Sequence, residues 1–198
     1  MPQYFDNNPS LGHKEIKVTF TFLEKQYSLD SDLGVFSKEG LDDGTKLLLE
    51  TIAKAHLGTK ILDLGCGIGP IGLILATFDS SRHLTCSDVN VRALELTERN
   101  AKKFGLSDRV EIVESDVYRS INSTFDTIVS NPPIRAGKKV TYRIYDEAPL
   151  HLNEGGRLII VIRRQQGADS VQKHLLSLFN KVEILASHKG YRVIGATK

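Results

Sequence analysis

Segments of strand length alternate with segments of helical periodicity from Lys60 to the end of the chain, and this alternation limits the possible folds more than any other feature. Strands separated by helices form right-handed βαβ units, which place the strands in one parallel sheet and the helices on both of its faces. The predicted strands are 60–64, 83–88, 110–114, 125–130, 157–162, 181–186 and 191–197, and the predicted helices are 70–76, 91–104, about 140–152 and 170–178. The sequence therefore predicts an α/β fold around a mostly parallel sheet of seven strands.

Both ends of the chain add antiparallel pairing to this plan. Only residues 187–190 separate the last two predicted strands, which is too short for a parallel crossover, so we expect one antiparallel strand at the end of the sheet. Apolar residues alternate over 14–22 and continue to Leu29, which predicts an N-terminal β-hairpin, and an apolar face over 41–55 predicts a helix. We interpret 1–198 as a single domain, with a lead-in over 1–56 and a core over 57–198.

The bulk composition argues against several functional classes. No apolar run approaches the roughly 18 residues of a membrane-spanning helix, and the first residues lack the basic and apolar regions of a signal peptide. The net charge of +2 is too small to attract nucleic acid by itself, so any such binding must rest on local clusters. Cys66 and Cys86 are the only cysteines, and both lie in apolar sequence. We therefore expect a reduced, cytoplasmic protein with no membrane partner.

A glycine-rich loop follows the first core strand. Residues 61–72, ILDLGCGIGPIG, lead from a strand through a glycine-rich turn into a helix that begins near Pro70. Glycines adopt positive φ and let the backbone come close to a ligand. The stretch satisfies the nucleotide-binding pattern G-x-G-x-x-G, and Asp88 lies about 20 residues further on, where it can hold a ribose. This pattern alone leaves NAD and other nucleotide cofactors open.

Two further carboxylates narrow the choice of cofactor. Asp63 lies before the first glycine of the loop, where it can pair with an ammonium group but would repel a pyrophosphate. Asp116 follows a third strand, where it can contact an adenine edge. A ligand with an amino acid end, a ribose and an adenine would use these two carboxylates together with Asp88. S-adenosylmethionine is such a ligand.

A stiff corner ends the fourth core strand, at Ser130-Asn131-Pro132-Pro133. Both prolines have a fixed φ and no N–H, and Asn131 is pushed towards extended geometry by the proline that follows it. The side-chain oxygen of Asn131 and the carbonyl of Pro132 can then point the same way, as a pair of acceptors for an NH2 group. An ordinary proline-rich turn is the alternative interpretation.

These motifs resemble those of the Rossmann-type S-adenosylmethionine-dependent methyltransferases. The matching stretches are Asp63-Leu-Gly65-Cys-Gly67-Ile-Gly69, Ser87-Asp88-Val89-Asn90, Ser115-Asp116-Val117 and Asn131-Pro132-Pro133. The lead-in, Gly34-Val-Phe36-Ser37 with Gly40-Leu-Asp42-Asp-Gly44-Thr, is similar to that of the 16S ribosomal RNA guanine-N2 methyltransferase (small-subunit methyltransferase C) family. The resemblance implies a Rossmann-like fold, S-adenosylmethionine as cofactor, and methyl transfer to guanine N2 of small-subunit ribosomal RNA.

The resemblance also implies roles for individual residues. The cofactor-binding residues would be Asp63, Gly65, Cys66, Gly67 and Gly69 around the methionine end, Asp88 with Val89 near the ribose, Asp116 with Val117 at the adenine, and Asn131. The catalytic corner would consist of Asn131, Pro132 and Pro133, with the amine held by the Asn131 side-chain oxygen and the Pro132 carbonyl.

Residues that follow the corner are candidates for contacting the substrate. The predicted substrate-binding residues are Phe36, Ile134, Arg135, Lys138, Lys139 and Arg143, of which the basic ones would contact phosphates beside the target nucleotide. Arg163 and Arg164 are expected on the same rim. Ile134 stands where relatives often have Tyr or Phe, so stacking on the base would fall to Phe36 or Tyr142.

The sequence leaves other functions open. The same corner could bind adenine N6 or the glutamine amide of a protein, and the glycine pattern also occurs in NAD-dependent oxidoreductases. A non-catalytic RNA-binding protein with a methyltransferase fold is the alternative from a different class. The six histidines show no metal-ligand spacing, so no metal is predicted. Ribosomal RNA or the small ribosomal subunit is the predicted partner.

Overall fold

The structure is a computed structural model that describes residues 15–32 and 40–198, except for the side chain of Arg135. Its strands are β1 (Glu15–Phe22), β2 (Lys25–Asp32), β3 (Lys60–Leu64), β4 (His83–Asp88), β5 (Val110–Glu114), β6 (Phe125–Ser130), β7 (Leu152–Arg163), β8 (Lys181–His188) and β9 (Tyr191–Thr197). Its α-helices are α1 (Asp43–Ile52), α2 (Pro70–Phe78), α3 (Val91–Lys103), α4 (Lys138–Glu147) and α5 (Ala168–Leu176). No helix in these ranges has the length and apolar character needed to cross a membrane.

Strands β3 to β9 form one seven-stranded sheet in the order β5-β4-β3-β6-β7-β9-β8, which confirms the predicted α/β architecture. Strand β9 is antiparallel to both of its neighbours, and the other pairs are parallel. The predicted antiparallel strand is therefore present, but it lies between β7 and β8 and not at the edge. Lys189 and Gly190 join β8 to β9 with positive φ angles of 46° and 79°, as a tight hairpin turn requires.

The predicted helix over 140–152 is wrong at its C-terminal end. Helix α4 ends at Glu147, a 3-10 turn covers Ala148–His151, and β7 begins at Leu152. Pro149 explains the early end, because proline has no N–H for the helical hydrogen bond. Strand β7 begins five residues before the predicted start at 157, since its first part contains Gly155 and Gly156, and glycine is depleted in strands.

Two apolar cores cover the two faces of the sheet, as predicted for helices on both faces. Neighbouring side chains of β3 point to opposite faces, so Ile61 joins one core while Leu62 and Leu64 join the other. The first core contains buried residues of α1, α2, α3 and the N-terminal hairpin, and the second contains those of α4 and α5.

The N-terminal hairpin of β1 and β2 is also confirmed, and it is anchored to α3. Tyr27 and Leu29 of β2 are buried in the first core. Asn100 of α3 accepts a hydrogen bond from the Asp30 N–H at 2.7 Å and donates to the Asp30 carbonyl at 3.0 Å. The same side chain donates to the Ile68 carbonyl at 3.1 Å, so the hairpin, α3 and the glycine loop share one buried amide.

The strand order reverses beside β3, which has β4 on one side and β6 on the other. In sheets of this kind, ligands bind outside the carboxyl ends of the strands at such a reversal. The glycine loop follows β3 and the Asn-Pro-Pro corner follows β6. Because β3 and β6 are neighbouring parallel strands, both motifs lie at the carboxyl ends of the strands beside this reversal.

Candidate active site

A cavity of about 280 Å³ lies at the carboxyl ends of β3, β4, β5 and β6. Eight of the ten predicted cofactor-binding residues line it: Gly65, Cys66, Gly67, Asp88, Val89, Asp116, Val117 and Asn131. Apolar side chains of α2 and α4 complete its wall, namely Ile71, Val140 and Ile144. The cavity therefore combines carboxylates from two strand ends with an apolar surface suited to a nucleobase.

The glycines of the loop have different structural roles. Gly65 has a φ of 76°, and a Cβ built there would meet no described atom within 4 Å, so its backbone opens onto the cavity. Gly69 also has a positive φ, of 85°, but a Cβ there would come within 2.8 Å of Thr97 Cγ2. Gly69 thus allows α2 to pack closely on α3, whereas Gly65 leaves room for a ligand.

Asp63 lies beneath the loop and is not among the cavity-lining residues. Its side chain is fully buried, and Oδ2 accepts a hydrogen bond from the Gly72 N–H at 2.7 Å. A Cβ on Gly72 would lie 2.7 Å from Cys86 Sγ, so only glycine lets α2 approach the sheet here. Burial raises the pKa of Asp63 to about 7. In this structure Asp63 holds the start of α2, and its contact with a cofactor ammonium stays a prediction.

Asp88 joins the glycine loop to the end of β4. Its Oδ2 accepts from the Gly67 N–H at 2.9 Å, and its Oδ1 accepts from the Asn90 N–H at 2.9 Å. The carboxylate is almost fully buried yet forms part of the cavity wall. These backbone bonds fix its direction, which is what a ribose-binding carboxylate needs.

The adenine end of the predicted cofactor site is a strained turn after β5. Val117 has a φ of 56°, which is costly for a β-branched residue. The Ser115 hydroxyl stabilises this conformation by donating to the Val117 carbonyl at 2.8 Å and accepting from the Ser120 N–H at 3.0 Å. Asp116 projects beside it and accepts from Arg143 Nη1 at 2.9 Å.

Asn131 has a defined orientation at the cavity. Its Nδ2 donates to Thr45 Oγ1 at 3.0 Å and lies 3.4 Å from each carboxylate oxygen of Asp42. Thr45 and Asp42 belong to the N-terminus of α1, where Asp42 is the N-cap. The predicted corner is thus held from behind by a helix that precedes the sheet.

The two prolines of the corner are placed differently. Pro133 lines the cavity and has φ −74° and ψ 80°, and the Ile134 N–H donates across it to the Pro132 carbonyl at 2.8 Å. This arrangement is an inverse γ-turn, and it uses one of the two lone pairs of that carbonyl. That the Pro132 carbonyl is a second acceptor for an amine stays a prediction. It requires the other lone pair of the carbonyl oxygen.

A family model described as the methyltransferase small domain matches residues 26–195. The chain belongs to this methyltransferase family. The match confirms the family that the sequence motifs predicted, and it supports S-adenosylmethionine as the cofactor.

Several proteins are similar to this methyltransferase chain. The uncharacterized protein YbxB of Bacillus subtilis (strain 168) is 41% identical over 197 residues, which cover 98% of each protein. The ribosomal RNA small subunit methyltransferase C of Serratia proteamaculans (strain 568) is 36% identical over 168 residues, and these cover 83% of this chain and 47% of the relative. The methyltransferase chain thus spans about half the length of that relative.

A solved structure supports the fold. The T. thermophilus 16S rRNA N2 methyltransferase RsmC, in complex with AdoMet and guanosine, superposes with a TM-score of 0.83 at 24% identity. The superposition covers 96% of this chain and 52% of that one. The predicted Rossmann-like methyltransferase fold is thereby confirmed.

The predicted substrate contacts of the methyltransferase have mixed outcomes. Phe36 lies outside the described residues, as does the side chain of Arg135. Ile134 is half-buried against the second core, and Tyr142 packs against the rings of Tyr145 and His174. Tyr142 is therefore already in contact with its own fold, and stacking of a base on it stays untested.

The basic residues after the corner fall into two groups. Lys138 and Lys139 are exposed in the first turn of α4 and form no ion pair with any described residue. Arg143 instead pairs with Asp116 and, through Nε at 3.0 Å, with Glu147. Its guanidinium therefore steadies the predicted adenine contact, and its role towards phosphate stays a prediction.

Arg163 and Arg164 lie at the end of β7, and their place on the rim of the substrate site stays a prediction. With Lys189 and Asp169 they line a separate depression, where the Arg163 guanidinium lies 4.9 Å from the centre of the Tyr191 ring. Tyr191 in turn lies against Gly44, because a Cβ there would be 2.9 Å from Tyr191 Cε1. The depression is thus next to the N-terminus of α1.

Two other observations bear on the chemistry. Burial raises the pKa of the Cys66 thiol well above its usual value, so the thiol stays protonated and is a poor nucleophile. Residues 15–32 and 40–198 contain no group of three or more His, Cys, Asp or Glu that could hold a metal ion.

Thr45 lines the cavity although no sequence motif predicted it as a site residue, and the neighbouring Asp42 is the N-cap of α1. The cap is real, since Asp42 Oδ1 accepts from the N–H groups of Gly44 and Thr45, at 3.0 Å each. The signal that could have found the second role is the buried Thr45, a polar residue in an otherwise apolar helix face. A buried hydroxyl needs partners, and here they are Asp42 and Asn131.

Proposed function

We propose that this chain uses S-adenosylmethionine to methylate an exocyclic amino nitrogen, and that this nitrogen is N2 of a guanine in small-subunit ribosomal RNA. Membership of the methyltransferase family supports the type of reaction. The relatives named ribosomal RNA small subunit methyltransferase C support the RNA substrate, and the bound guanosine in the RsmC structure supports the base.

The orientation of the Asn131 amide is the observation that carries the proposal. Its NH2 group faces Thr45, so Oδ1 is left as the polar atom of a residue that lines the cavity. A fixed amide oxygen is an acceptor and cannot donate, which suits a substrate that presents an N–H. N-methylation requires a hydrogen-bond acceptor for the amine beside the cavity that would hold the nucleotide cofactor, and Asn131 Oδ1 meets this requirement.

The residues around the cavity fit the proposed cofactor. The open backbone at Gly65 leaves space that a Cβ would fill, which suits the close approach of a ligand. Asp88 would hold the ribose hydroxyls, and the apolar residues Ile71, Val140 and Ile144 would enclose the adenine. When bound, S-adenosylmethionine supplies a methyl group on a positively charged sulfonium.

Asn131 would prepare the amine for reaction. The lone pair of an exocyclic base amine is delocalised into the ring, so the amine is a weak nucleophile. Acceptance of one N–H by Asn131 Oδ1, and of the other by the Pro132 carbonyl, would draw the nitrogen towards pyramidal geometry and stabilise the positive charge that develops on it. The bond between the methyl carbon and the sulfonium sulfur would break as the new N–C bond forms, which would leave a neutral thioether, and the extra proton on nitrogen would then pass to water.

The target base must be single-stranded or unstacked to reach this position. Lys138 and Lys139 begin α4 just after the corner, where they would contact phosphates beside the base. Ribosomal RNA in the cytoplasm is consistent with the free thiols of Cys66 and Cys86.

The substrate is tested by product analysis. Purified protein is incubated with labelled S-adenosylmethionine and with unmodified ribosomal RNA or small subunits, and the RNA is then digested to nucleosides. We expect label in N2-methylguanosine. Label in N6-methyladenosine, or in a protein glutamine, would show that adenine or glutamine is the substrate and that guanine is not. No label with any acceptor, despite cofactor binding, would favour a non-catalytic RNA-binding protein.

The role of the corner is tested by Asn131→Ala. We expect kcat to fall by about 100-fold or more, because loss of one preorganised hydrogen-bonding group at a developing charge typically has that effect. Isothermal titration should show a much smaller change in the Kd for S-adenosylmethionine than in kcat, since the glycine loop, Asp88 and Asp116 remain and Asn131 is only one of the predicted cofactor contacts. Retained turnover would remove Asn131 from the mechanism.

A further inference from the structure

A chain of hydrogen bonds reaches the back of Asn131 from the N-terminus of α1. Asn131 Nδ2 donates to Thr45 Oγ1 at 3.0 Å, and Thr45 Oγ1 donates to Asp42 Oδ2 at 2.6 Å. Thr45 is buried and lines the cavity. We propose that Thr45 and Asp42 are positioning residues that orient and polarise Asn131 for amine methylation. This inference rests on the proposed function of Asn131.

The direction of each hydrogen bond follows from the donors available. A carboxylate can only accept, so the single proton of the Thr45 hydroxyl lies on the short bond to Asp42. The hydroxyl oxygen is then an acceptor towards Asn131, and only the NH2 group of the amide can satisfy it. Thr45 and Asp42 together select one of the two amide orientations, and it is the one that leaves Oδ1 for the substrate.

The same chain places negative charge behind the amide. Both carboxylate oxygens of Asp42 lie 3.4 Å from Asn131 Nδ2, and the Thr45 hydroxyl forms a second link between these two side chains. Linked hydrogen bonds polarise one another, so the carboxylate increases the electron density on Asn131 Oδ1. A more basic Oδ1 stabilises the positive charge that develops on the amine during attack.

Capping alone does not account for this arrangement. The N-cap function uses Asp42 Oδ1, which accepts from the Gly44 and Thr45 N–H groups. The other oxygen, Oδ2, binds the Thr45 hydroxyl, and a cap has no need of that bond. Both oxygens lie near Asn131 Nδ2, but only Oδ2 accepts from the Thr45 hydroxyl and only Oδ1 accepts from the N–H groups of the cap, so substitutions can separate the two roles.

Thr45→Val tests the proposal, because valine keeps the shape of threonine and removes the hydroxyl. We expect kcat to fall by about 10-fold or more, with KM for RNA and Kd for S-adenosylmethionine unchanged, because loss of one hydrogen bond in a chain that ends on a charged group typically has an effect of that size. Thr45→Ser keeps the hydroxyl and should restore most of kcat. Thr51→Val is the matched control in the same helix, since Thr51 Oγ1 donates only to the Leu47 carbonyl at 2.6 Å, and its kcat should equal that of the wild type.

A second variant tests the same proposal independently, in case Thr45→Val does not fold. Asp42→Asn keeps an oxygen for the cap but replaces Oδ2 by an NH2 group, which cannot accept from the Thr45 hydroxyl. We expect its melting temperature to stay close to that of the wild type while kcat falls. The side-chain amide signals of Asn131 in ¹⁵N NMR provide a readout that is independent of turnover, and both variants should shift them.

The outcomes separate this inference from the proposed function. Loss of turnover in Asn131→Ala, together with wild-type kcat in folded Thr45→Val and Asp42→Asn, would overturn the positioning role and leave the proposed function intact. Full turnover in Asn131→Ala would overturn the proposed role of Asn131 itself.

Discussion

Asp63 is a fully buried carboxyl group at the base of the cofactor loop. One oxygen accepts from the Gly72 N–H, and the other has no hydrogen-bond partner among the described residues. Desolvation raises its pKa to about 7, and the nearby carboxylate of Asp88 acts in the same direction. The folded protein therefore binds a proton at Asp63 over a pH range in which the unfolded chain does not.

This difference predicts a specific pH dependence of stability. The stabilising contribution of protonated Asp63 is fully present below the unfolded pKa of 3.8 and is lost as the pH rises to about 7. A shift of this size corresponds to roughly 4 kcal/mol at about 1.4 kcal/mol for each pKa unit. Asp63→Asn does not titrate, so its free energy of unfolding should lack this decline.

Urea unfolding of both proteins at a series of pH values measures the effect. The difference in free energy of unfolding between wild type and Asp63→Asn should decrease from about pH 4 to about pH 7, as the two pKa values require. Subtraction removes the other titrating groups, which the two proteins share. Parallel curves would mean that Asp63 is ionised in the fold with its ordinary pKa.

At the level of single elements, α4 begins with two positive charges, which do not favour the stability of the helix. Lys138 and Lys139 occupy its first turn, where the helix dipole favours negative charge. Both side chains are exposed, and only residues 134–137 separate them from the Asn-Pro-Pro corner. A modest stability cost at this position is consistent with a role in binding phosphate.

Exchange of these charges should therefore separate binding from stability. The double variant Lys138→Glu, Lys139→Glu should fold at least as well as the wild type, because glutamate suits the start of a helix. Its RNA affinity should fall, and the slope of log K against log salt should become shallower by about 0.7 for each lost phosphate contact.

A charge-matched control lies at the end of the sheet opposite the cavity, where the parallel strands begin. Lys54 and Lys60 are exposed near the amino end of β3, so Lys54→Glu with Lys60→Glu makes the same change in net charge away from the cavity. This control should keep the wild-type salt slope. An equal change of slope in both double variants would mean that only net charge matters.

At the scale of the whole molecule, Asn100 links parts of the chain that are distant in sequence. The hairpin, α3 and the glycine loop meet at its side chain, which is fully buried. Its three hydrogen bonds all go to backbone groups, two on Asp30 and one on Ile68. The N-terminal hairpin is therefore linked through Asn100 to the glycine loop, which lines the cavity.

Asn100→Ala should weaken both the fold and the cofactor site. We expect the free energy of unfolding to fall by about 2 kcal/mol or more, since buried backbone groups lose their partners. The Kd for S-adenosylmethionine should rise, because the Ile68 carbonyl belongs to the glycine loop. Asn153→Ala is the control: it removes one bond to Asp126, near the start of β6, and should leave cofactor affinity unchanged. Wild-type cofactor affinity in a folded Asn100→Ala would show that the hairpin does not support the loop.

Much of the fold follows from local patterns. Strand β3, the glycine loop and α2 follow one another without interruption over residues 60–78, so periodicity and composition were sufficient to predict them. The boundary between α4 and β7 was not predictable in this way, because Pro149 ends a continuous helical pattern and two glycines conceal the start of the strand. The place of β9 inside the sheet depends on pairing between distant strands, which a local pattern does not specify.

For the candidate site, local sequence motifs were sufficient to predict which residue types stand at the strand ends: the glycines, Asp88, Asp116 and Asn131. They were sufficient because each motif is contiguous with the strand that carries it. The contacts that hold these residues in place depend on the packing of the folded chain. Asn131 meets Thr45 across 86 residues of chain, and Arg143 meets Asp116 across 27. Hydrogen bonds of this kind join side chains from separate elements, and their existence depends on how the helices pack on the sheet, not on any repeat in the sequence.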